Sequence, residues 1–163
     1  MEEFAMTLAQ GAPRYGINAA FLQEIKEDHR QLDEHWRRLQ AMATEGVWLA
    51  RHYRAWVDEL YLLCDQLALH FALEEAYGYF EDVLEATPHL HAQAARLKGQ
   101  HPGLFVWARD LADQAAAVSR PSAEALQSLV AQFEALAVAY HVHDTAERAL
   151  IVSAVHQDVG VGD

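Results

Sequence analysis

The sequence predicts an all-α protein: an antiparallel up-down-up-down four-helix bundle behind an irregular or short-helical N-terminal extension. Three observations predict it. Apolar residues make up 52% of the 163-residue chain, with only 8 Gly and 4 Pro to interrupt regular structure. Four long segments repeat their apolar residues at steps of three and four, the spacing that lines one face of a helix. Breakers fall between those segments, at Gly46, at Thr87-Pro88 and at Arg120-Pro121.

Residues 1–17 are punctuated by Gly11-Ala12-Pro13 and Gly16, which makes them an extension packed across one end of the bundle. The bundle domain is expected over 18–156, with a short tail at 157–163. Asn18 is placed to cap the first helix, whose stripe is Phe21, Ile25, Leu32, Trp36 and Leu39, ending near Thr44–Gly46. A connection over roughly 45–51, with Val47, Trp48 and Leu49 against the bundle, leads to a helix of about 50–86. Its stripe is Trp56, Leu60, Leu63, Leu67 and Tyr77. A third segment, roughly 88–119, carries Leu90, Ala94, Leu97, Leu104, Ala108, Leu111 and Val118. Gly99, Pro102 and Gly103 predict a bend or split within it, because proline lacks the N–H that an inner helical turn requires. Pro121-Ser122 opens the fourth helix, with proline accommodated in the first turn, and its stripe is Leu126, Phe133, Leu136, Tyr140, Leu150 and Ala154. Trp36, Trp56 and Trp107 are expected to fill the core, and Cys64 to be a packed free thiol.

Charge and composition exclude several roles. A net charge of −12 opposes binding to nucleic acid and to anionic membranes, both of which attract Lys and Arg. A single cysteine excludes an internal disulfide and Cys-rich metal motifs. Met1-Glu2-Glu3-Phe4 lacks the basic start of a secretory signal, and no apolar run reaches the roughly 20 residues of a membrane span. A cytoplasmic, soluble protein is the expectation.

Each stripe is interrupted at one place by a residue that binds metal. His29 lies in the first, His70 and Glu74 in the second, His101 in the third, His143 and Glu147 in the fourth. In both His-x-x-x-Glu pairs the two side chains share a helix face. A buried carboxylate costs several kcal/mol unless something compensates it. Chain geometry aligns the set: the midpoint between the His70/Glu74 pair and His101 falls beside Thr87-Pro88, that between His101 and the His143/Glu147 pair beside Pro121-Ser122, and that between His29 and the His70/Glu74 pair, more loosely, at the end of the 45–51 connection and away from the breaker Gly46. The six therefore occupy one layer of a bundle of antiparallel helices. Such a layer would hold two metal ions, each with two histidines, the glutamates and an oxo, hydroxo or water group bridging them. Imidazole and carboxylate suit iron, with Zn or Mn possible.

Other polar residues have plainer readings. His29 and Asp33 form a third His-x-x-x-carboxylate pair, for which a hydrogen bond or surface charge is expected. Glu75 is expected on the solvated face, Tyr77 and Tyr140 among the core aromatics near the site. His35 is expected near a bundle end and His52 near a connection, with His89, His91 and His156 solvated; His141 cannot share the face of His143.

On these six residues the chain resembles the hemerythrin-like, or HHE cation-binding, family. His29, His70-Phe-Ala-Leu-Glu74, His101 and His143-Asp-Thr-Ala-Glu147 reproduce its ligand order between about residues 20 and 150. The resemblance implies an antiparallel four-helix bundle around a non-haem, oxo- or hydroxo-bridged di-iron centre. Oxygen-carrying hemerythrins have a fifth histidine in the third helix and an aspartate in the last motif. Here Leu97 and Phe105 flank His101 at the corresponding spacings, and Glu147 stands in the last motif. Four histidines with two glutamates look closer to the di-iron domain of repair-of-iron-centres proteins, whose N-terminal cysteine-bearing domain has no counterpart in this sequence. Implied ligands are O2, NO or peroxide, in sensing or in an oxidative or nitrosative stress response. An enzyme reading needs an external reductant and predicts turnover; a sensor predicts a stable adduct. A metal-binding interaction module is the non-enzymatic alternative.

Overall fold

A computed structural model describes residues 19–76 and 88–159, and among them all regular structure is helical, without a strand. The elements are α1 (Ala19–Thr44), α2 (Gly46–Arg51), α3 (Tyr53–Ala76), a 3-10 turn (Pro88–Leu90), α4 (His91–Lys98), α5 (His101–Ala116) and α6 (Ala123–Val159). Helix α1 packs on α3, α3 on α5, α5 on α6, and α6 back on α1, while α4 packs on α6. No helix is long and apolar enough to cross a membrane among the described residues.

The stripes meet in the middle. Leu32, Trp36 and Leu39 of α1, Trp56, Leu60, Leu63 and Leu67 of α3, Leu104, Ala108 and Leu111 of α5, and Leu126, Phe133, Leu136 and Tyr140 of α6 are all buried in one cluster. Full burial of a Leu or Phe side chain contributes about 1.5–3 kcal/mol, so this cluster dominates the stability. A smaller one, Ala94, Leu97 and Leu150, joins α4 to the C-terminal part of α6.

Local chemistry explains the breaks. Ser122 caps α6, its Oγ accepting from the Ala125 N–H at 3.1 Å. Pro121 consequently stands before the cap and not in the first turn as expected. The third segment splits at Gly99-Gln100, where the Gln100 N–H turns to the Leu97 carbonyl at 2.8 Å, one residue short of helical spacing. Pro102 causes this by its missing N–H, and as the second residue of α5 it sits where a helix needs none. The connection after α1 is itself helical. Leu49 is its buried residue, whereas Val47 is 72% exposed, so only part of the expected Val47-Trp48-Leu49 contact forms.

Two further expectations are corrected. Trp107 is 38% exposed, because it precedes Ala108 and so lies about 100° off the Leu104–Ala108–Leu111 stripe. Val118, expected on that stripe, lies beyond the end of α5 and is exposed. Helix α6 runs to Val159. The 1–17 extension, the Asn18 cap and Tyr77 lie outside the described residues, as do the side chains of Phe21, Ile25, Ala154 and His156.

Candidate metal centre

Between the two apolar clusters lies a polar layer. On α6 it follows Tyr140 of the main core and precedes Leu150 of the smaller cluster; on the third segment it lies between Leu104 and Leu97. His70, Glu74, His101, His143 and Glu147 are all buried there, and His29 is partly buried. They form two groups, His29/His70/Glu74 and His101/His143/Glu147, and within each group one atom from every residue lies within 4.8 Å of the others. All six residues singled out from the sequence are thus brought into these groups.

The groups touch through the carboxylates. Glu74 Oε1 is 3.2 Å from His70 Nε2, and its Oε2 is 3.5 Å from His101 Nε2, so this side chain spans both groups. Glu147 Oε1 lies 3.1 Å from His101 Nε2 and 3.2 Å from His143 Nε2. Rings close the layer: His29 and His70 stand 5.0 Å apart, His101 and His143 likewise, and Phe71 stacks on His101 at 4.2 Å.

The outer nitrogens decide what the inner ones can do. His70 Nδ1–H donates to Asp28 Oδ2 at 2.6 Å, and Asp28 is itself fixed by the Gln66 amide at 2.6 Å. His143 Nδ1–H donates to Gln100 Oε1 at 3.0 Å, and His101 Nδ1–H to Glu75 Oε1 at 3.2 Å. A neutral imidazole carries one N–H, so all three rings, with that hydrogen facing outward, aim an Nε2 lone pair inward. These lone pairs meet carboxylate oxygens, which are also acceptors. His70 Nε2, His143 Nε2 and Glu74 Oε2 are buried without a hydrogen-bond partner. His101 Nε2 lies at hydrogen-bond distance from Glu147 Oε1, which needs a proton or a metal ion between the two atoms, and the facing acceptors of the layer are stable only with such cations between them. The donor set therefore fits a metal, and outer-sphere hydrogen bonds of this kind are what orient histidine ligands.

Titration reflects the same crowding. Burial, followed by the Glu147 charge, pushes the Glu74 carboxyl up to about 9. Burial also raises Glu147, but the facing His101 and His143 rings outweigh it and hold this carboxyl at about 2. The opposite shifts belong to one interacting pair that keeps a single proton when no metal is bound. Burial, with His70 beside it, lowers the pKa of His29 and favours its neutral, metal-binding form.

A cleft of about 280 Å³ reaches His101 from outside, lined by Phe71, Ala72, Glu75, Pro102 and Phe105. The sequence reading missed Asp28, Gln66 and Gln100, and set Glu75 on the solvated face. Its side chain is 45% exposed, yet its carboxylate reaches the His101 ring. Asp33 lies outside both groups, in a surface cleft with Trp36, Arg37 and His141. His35 is paired with the buried Glu59 at 2.7 Å, and His52 stacks on Trp48. Cys64 is a buried free thiol whose pKa burial pushes up to about 11, an inert packing residue. No protein-family model matches this chain, nor does any curated protein or solved structure.

Proposed function

We propose that this chain is a hemerythrin-like protein, an antiparallel four-helix bundle that holds two iron ions and binds or reacts with O2, NO or peroxide. His29 and His70 serve one ion, His101 and His143 the other, with Glu74 and Glu147 between them. Bound there, the irons would supply electrons to the small oxidant or a site for the diatomic to attach. The residues supply the rest. Asp28, Glu75 and Gln100 hold three imidazoles with Nε2 inward, and the apolar clusters on both sides exclude water. The cleft beside His101 and Pro102 is the approach for a small ligand, and the break that Pro102 imposes shapes it.

One observation carries the reading: inward Nε2 atoms oppose buried carboxylate oxygens in two adjoining groups, an arrangement that requires cations between them and that a pair of metal ions would satisfy. The test is metal content and the ultraviolet–visible spectrum of protein loaded with ferrous iron without oxygen, then exposed to air. About two irons per chain and new absorption in air are expected, both lost in His101→Ala and Glu147→Ala. Tight stoichiometric zinc in place of iron would redirect the chemistry away from redox. A folded protein that takes up no metal would end the proposal.

A further inference from the structure

The two groups of the polar layer are not equally prepared. In His101/His143/Glu147 all three residues are buried, and both rings are held from outside, His101 by Glu75 at 3.2 Å and His143 by Gln100 at 3.0 Å. Both glutamates face this group, since His101 Nε2 lies 3.1 Å from Glu147 and 3.5 Å from Glu74. The group His29/His70/Glu74 has only one ring so held. His70 is fixed by Asp28 at 2.6 Å, but among the described residues no hydrogen bond holds either nitrogen of His29. His29 is also partly buried where the other ligands are buried, and it meets His70 edge to face with 5.0 Å between the ring centroids.

This difference acts on affinity in one direction. A ring whose outer N–H is already bonded points its other nitrogen to where a metal bond forms. A ring without that bond must be ordered as the ion arrives, and it can turn away again without breaking a hydrogen bond. Loss of an outer partner typically weakens metal binding about 10–100-fold. Repulsion between neighbouring cations weakens the second step at any pair of sites. The asymmetry decides which group that second step fills.

We propose that the layer loads in order: His101, His143 and Glu147 take the first divalent cation tightly, and His29, His70 and Glu74 take the second as an exchangeable ion, with His29 the ring that admits and releases it. The inference rests on the di-iron reading for the identity of the ion. Iron supply then sets whether the protein carries one ion or two, and the His29 group is where that supply is felt.

The experiment titrates ferrous iron into metal-free protein without oxygen, in competition with a chelator. Two steps about 10–100-fold apart are expected. His29→Ala should keep the tight step within about twofold and lose the weak one, whereas His143→Ala should lose the tight step and keep one weak ion. Parallel samples without chelator are treated briefly with diethyl pyrocarbonate, which acylates unliganded neutral imidazole, and are mapped by peptide mass. In the native sequence His29 should stay fully reactive after one equivalent of iron and become protected by the second, a result that does not depend on how the variants fold. Half protection at one equivalent, as equal sites would give, or full protection, as the reverse order would give, overturns the proposal and leaves the di-iron reading standing. A tight step weakened about tenfold or more in His29→Ala does the same. Uptake of no iron, or of a single ion at any excess, overturns both.

Discussion

The two halves of the interior are built on opposite principles. Around Trp56, Leu63, Leu111 and Phe133 the core is almost wholly hydrocarbon, and its burial favours folding. A few turns along the same helices, His70, Glu74, His101, His143 and Glu147 fill an equally buried layer with groups that repel one another unless cations lie between them. The apolar half is complete with what the chain encodes; the polar half is held in shape by its neighbours. A protein that tolerates such a layer needs stability to spare elsewhere, and the unbroken apolar cluster supplies it.

That contrast can be broken from either side. The largest effect is expected in the apolar half, where Phe133→Ala should lower stability by about 3–5 kcal/mol in urea unfolding, through lost burial and a cavity that packed rings cannot fill. In the polar half Asp28→Asn should leave stability nearly unchanged but weaken metal binding roughly 10–100-fold, because the amide can present a donor to His70 Nδ1 and release the ring's orientation. Competition titration against a chelator would measure it, and an unaltered affinity would show that Asp28 does not orient a ligand.

Glu74→Gln sharpens the comparison through pH. In the metal-free protein this carboxyl is raised to about 9 from an ordinary 4.5. Below 4.5 folded and unfolded chains both hold the proton; between 4.5 and 9 only the folded chain does, so rising pH favours unfolding. Glutamine has no such proton. Metal-free Glu74→Gln should therefore match the wild type near pH 4.5 and exceed it increasingly toward pH 8, as read by thermal unfolding. A constant difference across that range would mean that Glu74 ionises freely. The smallest effect is expected at the exposed Arg30, which bridges Glu27 and Glu34 within one helix. Arg30→Ala should leave the midpoint of urea unfolding nearly unchanged, because solvent screens an exposed ion pair.

How much of this was legible in the sequence follows from the range of each interaction. The four stripes and the His70/Glu74 and His143/Glu147 pairs are local patterns with helical period, and they could be read directly. Asp28 could not: it acts on His70, 42 positions away, across the α1–α3 contact, and no spacing announces such a partner. Gln100 is hidden for the same reason, reaching His143 from the turn before α5. Glu75 is exposed, as its place beside Glu74 implies, and what the sequence does not show is that its carboxylate bends back to the His101 ring. Trp107, expected in the core, is set by the helical wheel beside the stripe and not on it.

The joint between α4 and α5 also changes how the protein tolerates alterations of length. In a continuous helix one inserted residue rotates everything beyond it by about 100°. Because hydrogen bonding is reset at Gly99-Gln100, the angular position of His101 is governed by Leu104, Ala108 and Leu111, and an insertion in α4 is absorbed before reaching it. Helix α6 has no such joint in its 37 residues. An insertion between Phe133 and His143 would keep the apolar anchor in place and swing both His143 and Glu147 out of the layer. A change of length in α4 leaves the histidine of the third segment on target, whereas the same change within α6 moves its ligands.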